Sequence, residues 1–215
     1  MIPDWASERA SMVECQFRAR GIRDPRVLQA VLEIPREEFI PLESRVFSYQ
    51  DEPVQIGYGQ TISQPYMATL MAECLELKGT ERVLDVGAGS GYQAALLGAL
   101  AAEVVSIELV PALAEQARRN LRKTGRAHNV TVIVGDGSEG CAEFAPYDGI
   151  SVAAGAPEVP FKLLEQLKDP GRLVIPIGSM DDQELRVVVK SGGRIEARVA
   201  TYCRFVPLRG QQGWK

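Results

Sequence analysis

Val83-Leu84-Asp85-Val86-Gly87-Ala88-Gly89-Ser90-Gly91-Tyr92-Gln93 is the stretch on which the fold turns. A short β-rich run enters a turn with glycine at every second position, and the helix formers Gln93-Ala94-Ala95-Leu96-Leu97 leave it. Glycine lets a backbone approach a ligand closely and take φ > 0 at little steric cost. A second apolar run, Val104-Val105-Ser106-Ile107, ends in Glu108. That carboxylate falls about twenty residues beyond the first strand, where dinucleotide folds hold ribose hydroxyls. The spacing is G-x-G-x-G, however, with Tyr92 where the dinucleotide fingerprint G-x-G-x-x-G has its last glycine. Such a loop suits a nucleoside ligand without a pyrophosphate, and S-adenosylmethionine is the common cofactor of that description.

Around this stretch, strands and helices alternate. The pattern predicts strands at about 82–86, 103–108, 130–134, 147–152 and 172–177, with helices near 92–101, 111–124 and 159–168. This order implies an α/β fold, a doubly wound, mostly parallel sheet with helices on both faces. Past Gly178 the pattern changes to two strand-like runs, 184–190 and a second reaching Phe205, around Ser191-Gly192-Gly193, which predicts a C-terminal antiparallel hairpin. Upstream, Trp5 to about Arg20 reads as a helix capped by Asp4 and stopped by Gly21. A second helix starts at Asp24-Pro25 and ends before Pro35. Residues 41–63 show no sustained periodicity, and a long irregular stretch in a compact chain is usually functional or disordered; Tyr49, Ile56, Tyr58 and Ile62 argue against disorder. Helical spacing returns with Met67, Leu70, Met71, Cys74 and Leu75, and Gly79 is expected to close that helix. We expect one domain over 1–215: N-terminal helices and an irregular loop at 1–63, a cofactor-binding α/β core at 64–178, and the hairpin with a terminal motif at 179–215.

Composition narrows the function classes. A chain of 215 residues with 46% hydrophobic and 24% charged residues can bury the core of one globular domain. A net charge of −4 gives no general positive field for nucleic acid. The densest basic cluster, Arg118-Arg119 with Arg122-Lys123, reads as a solvated helix face. No apolar run is long enough to span a bilayer, and Met1-Ile2-Pro3-Asp4 lacks the basic start of a signal peptide. Cys15, Cys74, Cys141 and Cys203 form no C-x-x-C pair and read as small buried hydrophobes in a reducing compartment. One histidine, His128, excludes a His-based metal centre on ligand count. A cytoplasmic monomer is the expectation.

Ligands of open α/β sheets lie beyond the carboxyl ends of the strands, at the switch point. The Gly87–Gly91 loop, Glu108 and Asp136 each follow a predicted strand, which brings all three to that edge. There Glu108 would accept hydrogen bonds from ribose hydroxyls. Asp136, in Gly135-Asp136-Gly137, would accept one from the exocyclic amine of adenine. The alternative for Glu108 is a helix-start carboxylate before Pro111, and for Asp136 an ordinary turn residue.

The chain resembles the protein-L-isoaspartate O-methyltransferases of bacteria and archaea along most of its length. The resemblance is carried by Tyr58-Gly59-Gln60-Thr61-Ile62-Ser63-Gln64-Pro65, by 83–95, Ala145-Pro146-Tyr147-Asp148, Ala156–Pro160, Leu163–Leu167, Gly171–Gly178 and Phe205-Val206-Pro207-Leu208-Arg209-Gly210. The glycine loop alone is common to many methyltransferases. The T-I-S-x-P and F-V-P-L-R-G segments are far more specific. The resemblance implies methylation of the free α-carboxylate of L-isoaspartyl residues in proteins and peptides, the first step of their repair, with S-adenosylmethionine as donor. It implies cofactor contacts at Asp85, Gly87, Gly89, Gly91, Glu108, Asp136 and Gly137, substrate contacts at Thr61, Ile62 and Arg209, and no metal. Ser151 and Gly155 depart from the family pattern, and the N-terminal helices match it only loosely.

In that reading Ser63 supplies the hydroxyl that orients the acceptor carboxylate. The alternative is a helix N-cap, but Pro65 fits the first helical position and assigns the cap to Gln64. Thr61 is the rival hydroxyl, and the alternative for Arg209 is a structural ion pair. The chemistry is consistent: a carboxylate of pKa about 3.5 to 4 is ionised at neutral pH and needs no general base. Competing readings are a methyltransferase for a small-molecule acceptor, a nicotinamide oxidoreductase, against which Tyr92 speaks, and a non-catalytic nucleoside-binding module.

Overall fold

The computed structural model describes residues 3–126 and 128–214. Two short strands, β1 (Val54–Gly57) and β2 (Gln60–Ile62), pair as a hairpin of their own. Seven more form the central sheet: β3 (Arg82–Val86), β4 (Glu103–Glu108), β5 (Val130–Val134), β6 (Tyr147–Val152), β7 (Leu167–Gly178), β8 (Gln183–Ser191) and β9 (Arg194–Cys203). Their order is β5-β4-β3-β6-β7-β8-β9. The first five pair in parallel, and β8 and β9 continue the sheet antiparallel. The chain winds outward from β3 to β5 and then returns to lay β6 on the other side of β3. The crevice between β3 and β6 is therefore the switch point.

Helices α1 (Trp5–Met12), α2 (Pro25–Glu33), α3 (Pro65–Cys74), α4 (Tyr92–Leu100), α5 (Pro111–Lys123) and α6 (Phe161–Gln166) complete the layers. Successive strand residues face opposite sides, as the two-residue period requires. Val83 and Val104 pack in one cluster with residues of α1 to α5, whereas Leu84 and Val105 pack in the other with Leu163 of α6. Both faces of the parallel strands are thus covered, which explains their unbroken apolar runs.

Several boundaries differ from the sequence reading, each for a tertiary reason. The N-terminal helix runs to Arg20 but passes through a π-turn at Val13–Phe17 and a 3-10 turn at Arg18–Arg20 before Gly21. Asp4 caps it by accepting the Ser7 N–H at 3.2 Å. The irregular stretch at 41–63 holds a 3-10 segment, Leu42–Phe47, and the β1–β2 hairpin. The third helix ends at Cys74, earlier than Gly79, because Glu76 takes a left-handed φ of 52°. The expected helix at 159–168 stops at Gln166, since Leu167 pairs with Tyr147 in the sheet. The last strand ends at Cys203, short of Phe205, whose backbone N–H and carbonyl are both taken by the Gln183 side chain. Cys74 is buried, as read, but Cys15 is exposed and the other two are half-buried. No helix among the described residues is long and apolar enough to cross a membrane.

Candidate active site

The carboxyl ends of β3, β4 and β6, the β1–β2 hairpin and the 206–209 segment enclose one cavity of about 1090 Å³, part of it open to solvent. Gly87, Gly89, Glu108, Gly137, Thr61, Ile62, Ser63 and Arg209 all line it. Residues from six separate segments of the sequence thereby meet at one place.

The glycine loop is fixed by its neighbours. Gly87 and Ala88 both donate to the Ile107 carbonyl, at 2.8 and 3.1 Å. Glu108 is 7% exposed, and its carboxylate accepts the Gly89 N–H at 2.8 Å and the Val110 N–H at 3.0 Å. Each oxygen keeps lone-pair capacity for a ligand hydroxyl. Gly91 caps α4 at φ 90°, and a Cβ there would stand 3.2 Å from the Ala117 backbone. Glycine is required at that position twice over, for the left-handed backbone and for the close approach of α5. Gly91 itself shapes the loop from behind and does not line the cavity.

Asp85 and Asp136 are placed differently from the sequence reading. Asp85 is fully buried and does not line the cavity. Its register neighbours are Ser106 and Ser151, and the Ser106 hydroxyl donates to it at 2.6 Å. Its other oxygen and the Ser151 hydroxyl are buried without a partner. Burial pushes the Asp85 carboxyl up to about 7; the Ser106 hydrogen bond opposes the rise and the nearby Glu108 charge adds to it. Asp136 likewise stands outside the cavity lining. One oxygen accepts the Ser138 N–H and hydroxyl at 2.9 and 2.6 Å, and the other accepts the Gln211 N–H at 2.8 Å. Its carboxylate is thus held by its own turn and by the C-terminal segment, the second oxygen carrying a single hydrogen bond, while its neighbour Gly137 lines the cavity.

Another wall of the cavity is built on the β2–α3 junction. Gln64 is the N-cap of α3 and Pro65 its first residue, but Gln64 makes no capping hydrogen bond. Asp51 does that work from a distance, accepting the Tyr66 N–H at 3.0 Å. Ser63 therefore does not cap the helix, and its hydroxyl has no hydrogen-bond partner among the described residues. Arg209 is exposed at the cavity mouth and has no carboxylate partner among the described residues. His128 is exposed on the turn before β5 and takes no part.

The terminal motif is clamped onto the site. Gly155 accepts the Leu208 N–H and donates to the Val206 carbonyl, both at 2.8 Å, and Trp214 Nε1 reaches the Gly155 carbonyl at 3.0 Å. A Cβ on Gly155 would meet the Gln183 amide at 2.4 Å. The absence of a side chain there gives room for the amide that holds Phe205. Sequence reasoning missed Asp51, Gln183, Tyr58, Gln60 and Ala153, the last three of which line the cavity. Tyr58 had one signal: it lies between glycines at a hairpin tip, where it takes φ 54°.

Residues 7–213 match the family described as protein-L-isoaspartate(D-aspartate) O-methyltransferase. The chain belongs to this family. A protein-L-isoaspartate O-methyltransferase 2 of Marinobacter nauticus is 53% identical over 213 residues, covering 98% of this chain and 97% of that protein. Among solved structures, a protein-L-isoaspartate O-methyltransferase superposes with a TM-score of 0.82 at 32% identity, over 95% of this chain and 67% of that one. A family member from Plasmodium falciparum, solved with S-adenosyl-L-homocysteine, superposes with a TM-score of 0.78 at 29% identity, over 94% and 98% of the two chains.

Proposed function

We propose that this chain transfers the methyl group of S-adenosylmethionine to the free α-carboxylate of L-isoaspartyl residues, with Ser63 as the orienting hydroxyl. The observation that carries the residue assignment is the juxtaposition in one cavity of the Gly89–Glu108 pair with a Ser63 hydroxyl left free of any capping role. Membership of the family favours this reading over a small-molecule acceptor.

The donor set fits the cofactor. Glu108 offers acceptor oxygens to ribose hydroxyls, the glycine loop permits close backbone approach, and Gly137 borders the space for the base. When bound, S-adenosylmethionine supplies a methyl carbon already activated by its sulfonium. The protein's residues then have to align, not to abstract a proton. The acceptor carboxylate arrives ionised, and Ser63, with Thr61 as rival, donates a hydrogen bond that fixes one of its oxygens. Orientation of this kind supplies roughly 7–11 kcal/mol in the best cases. Ile62, 5% exposed, packs the wall beside them, and Arg209 at the mouth meets the substrate backbone or carboxylate.

We place the enzyme in the cytoplasm as a monomer acting on isoaspartyl-containing proteins, without nucleic-acid or membrane partners. Its parts divide the work: the N-terminal segment with the β1–β2 hairpin forms the acceptor side, the core holds the cofactor, and the C-terminal segment closes the mouth. Transfer of labelled methyl to an isoaspartyl peptide, set against its aspartyl isomer, tests the proposal.

A further inference from the structure

Arg36 follows α2 in a 3-10 turn, Arg36–Phe39, and is completely buried. A guanidinium is among the costliest groups to take out of water, and a buried one is normally paired with a carboxylate. Arg36 has no carboxylate within salt-bridge distance among the described residues; the adjacent Glu37 is held instead by Arg9 and the Tyr49 hydroxyl. What Arg36 holds is backbone. Its Nε donates to the Ser48 carbonyl at 2.9 Å and its Nη2 to the Ser63 carbonyl at 2.7 Å. The guanidinium carbon stands 4.8 Å from the centroid of the Tyr92 ring. Burial raises the pKa of the Tyr92 phenol, and the Arg36 charge opposes that rise. Arg36 Nη1 and the Tyr92 hydroxyl are both buried without a hydrogen-bond partner among the described residues.

Tyr92 is the first residue of α4, directly after Gly91, and Tyr92 and Ser63 both line the cavity. Ser63 lies between the end of β2 and the start of α3, so its carbonyl belongs to neither a ladder nor a helix. One rigid side chain thus spans the cofactor-side aromatic and the acceptor-side serine. We propose that Arg36 is a positioning residue, fixing the Ser63 backbone, and with it the Ser63 hydroxyl, relative to the glycine loop. The inference rests on the assignment of Ser63 to the acceptor carboxylate. The planar fork explains the choice of residue: lysine carries the charge but cannot hold two carbonyls while lying against a ring. Packing alone would be served as well by an apolar side chain of similar volume, which often replaces a buried charge without loss of stability.

The test compares Arg36→Lys and Arg36→Met in the parent and in Ser63→Ala, reading kcat and KM for an isoaspartyl peptide, S-adenosylhomocysteine affinity and Tm. A positioning role predicts that Arg36→Lys lowers kcat about tenfold or more, with KM and cofactor affinity within about threefold. In the Ser63→Ala background the same change should cost less than about twofold, because the hydroxyl it serves is gone. Equal losses in both backgrounds, or a loss of cofactor affinity in step with kcat, would show a core cation that does not act through Ser63. A Ser63→Ala enzyme with parental kcat would overturn the assignment of Ser63 itself, and the single variant reveals that separately. Should neither Arg36 variant fold, Tyr92→Leu, which removes the ring the guanidinium lies against, takes their place at saturating cofactor. A several-fold fall in kcat in the parent alone supports the proposal; equal factors in both backgrounds, or no fall, contradict it.

Discussion

The Glu108 carboxylate accepts the backbone N–H of Gly89 at 2.8 Å. The end of β4 thereby holds the middle of the loop that follows β3, and one side chain both shapes the glycine turn and faces the ligand space. Glu108→Ala removes a charged acceptor and should weaken S-adenosylhomocysteine binding by roughly 1.5–3 kcal/mol. Glu108→Gln keeps one acceptor oxygen and should lose less. Calorimetry on the folded variants checks this, and unchanged affinity in Glu108→Ala would remove the residue from the site.

Ser63→Ala should lower kcat/KM for an isoaspartyl peptide by about tenfold to a few hundredfold, the loss of one charge-assisted hydrogen bond of about 1.5–3 kcal/mol. Since Asp51 already caps α3 through Tyr66, Tm should move by no more than a few degrees. Steady-state kinetics beside a melting curve separate the two roles. Full activity with a large drop in Tm would return Ser63 to a structural part and bring Thr61 forward.

The central α/β pattern was legible because it is local: the apolar runs of β3, β4 and β6, and Gly91 before the helix formers, carry it within the sequence itself. What escaped was set by partners far along the chain. Leu167 looks helical until Tyr147 pairs with it. Phe205 looks like a strand residue until the Gln183 amide takes both its backbone groups. Nothing near Asp136 in the sequence announces that Gln211, 75 residues later, returns to its carboxylate. Spacing placed Glu108 at the right edge, but it could not separate a side chain that faces the cavity from one, Asp85, that points into the packed layer two positions before Gly87.

Asp85 makes stability depend on pH. Its folded carboxyl titrates near about 7 against an ordinary value of 3.8, so the folded state binds the proton more tightly than the unfolded state. The contribution is fully favourable below about pH 4 and is lost as pH rises toward 7. Asp85→Asn removes this loss. Its stability relative to the parent should climb between pH 4 and 7, by at most on the order of 4 kcal/mol if the whole shift is realised. Urea unfolding of both proteins at pH 4.5 and 7.5 (values chosen to bracket roughly this window) reads it out; parallel pH curves would contradict the buried-carboxyl account.

The central claim is that this cavity aligns an isoaspartyl α-carboxylate with the activated methyl of the cofactor. The direct measurement is transfer of tritiated methyl from S-adenosylmethionine to a synthetic isoaspartyl peptide, run beside the same peptide with a normal aspartyl residue. The account predicts ready methylation of the isoaspartyl peptide and next to none of its isomer, because a fixed methyl rejects a carboxylate displaced by one methylene. Equal rates on both, or transfer to neither, would contradict it.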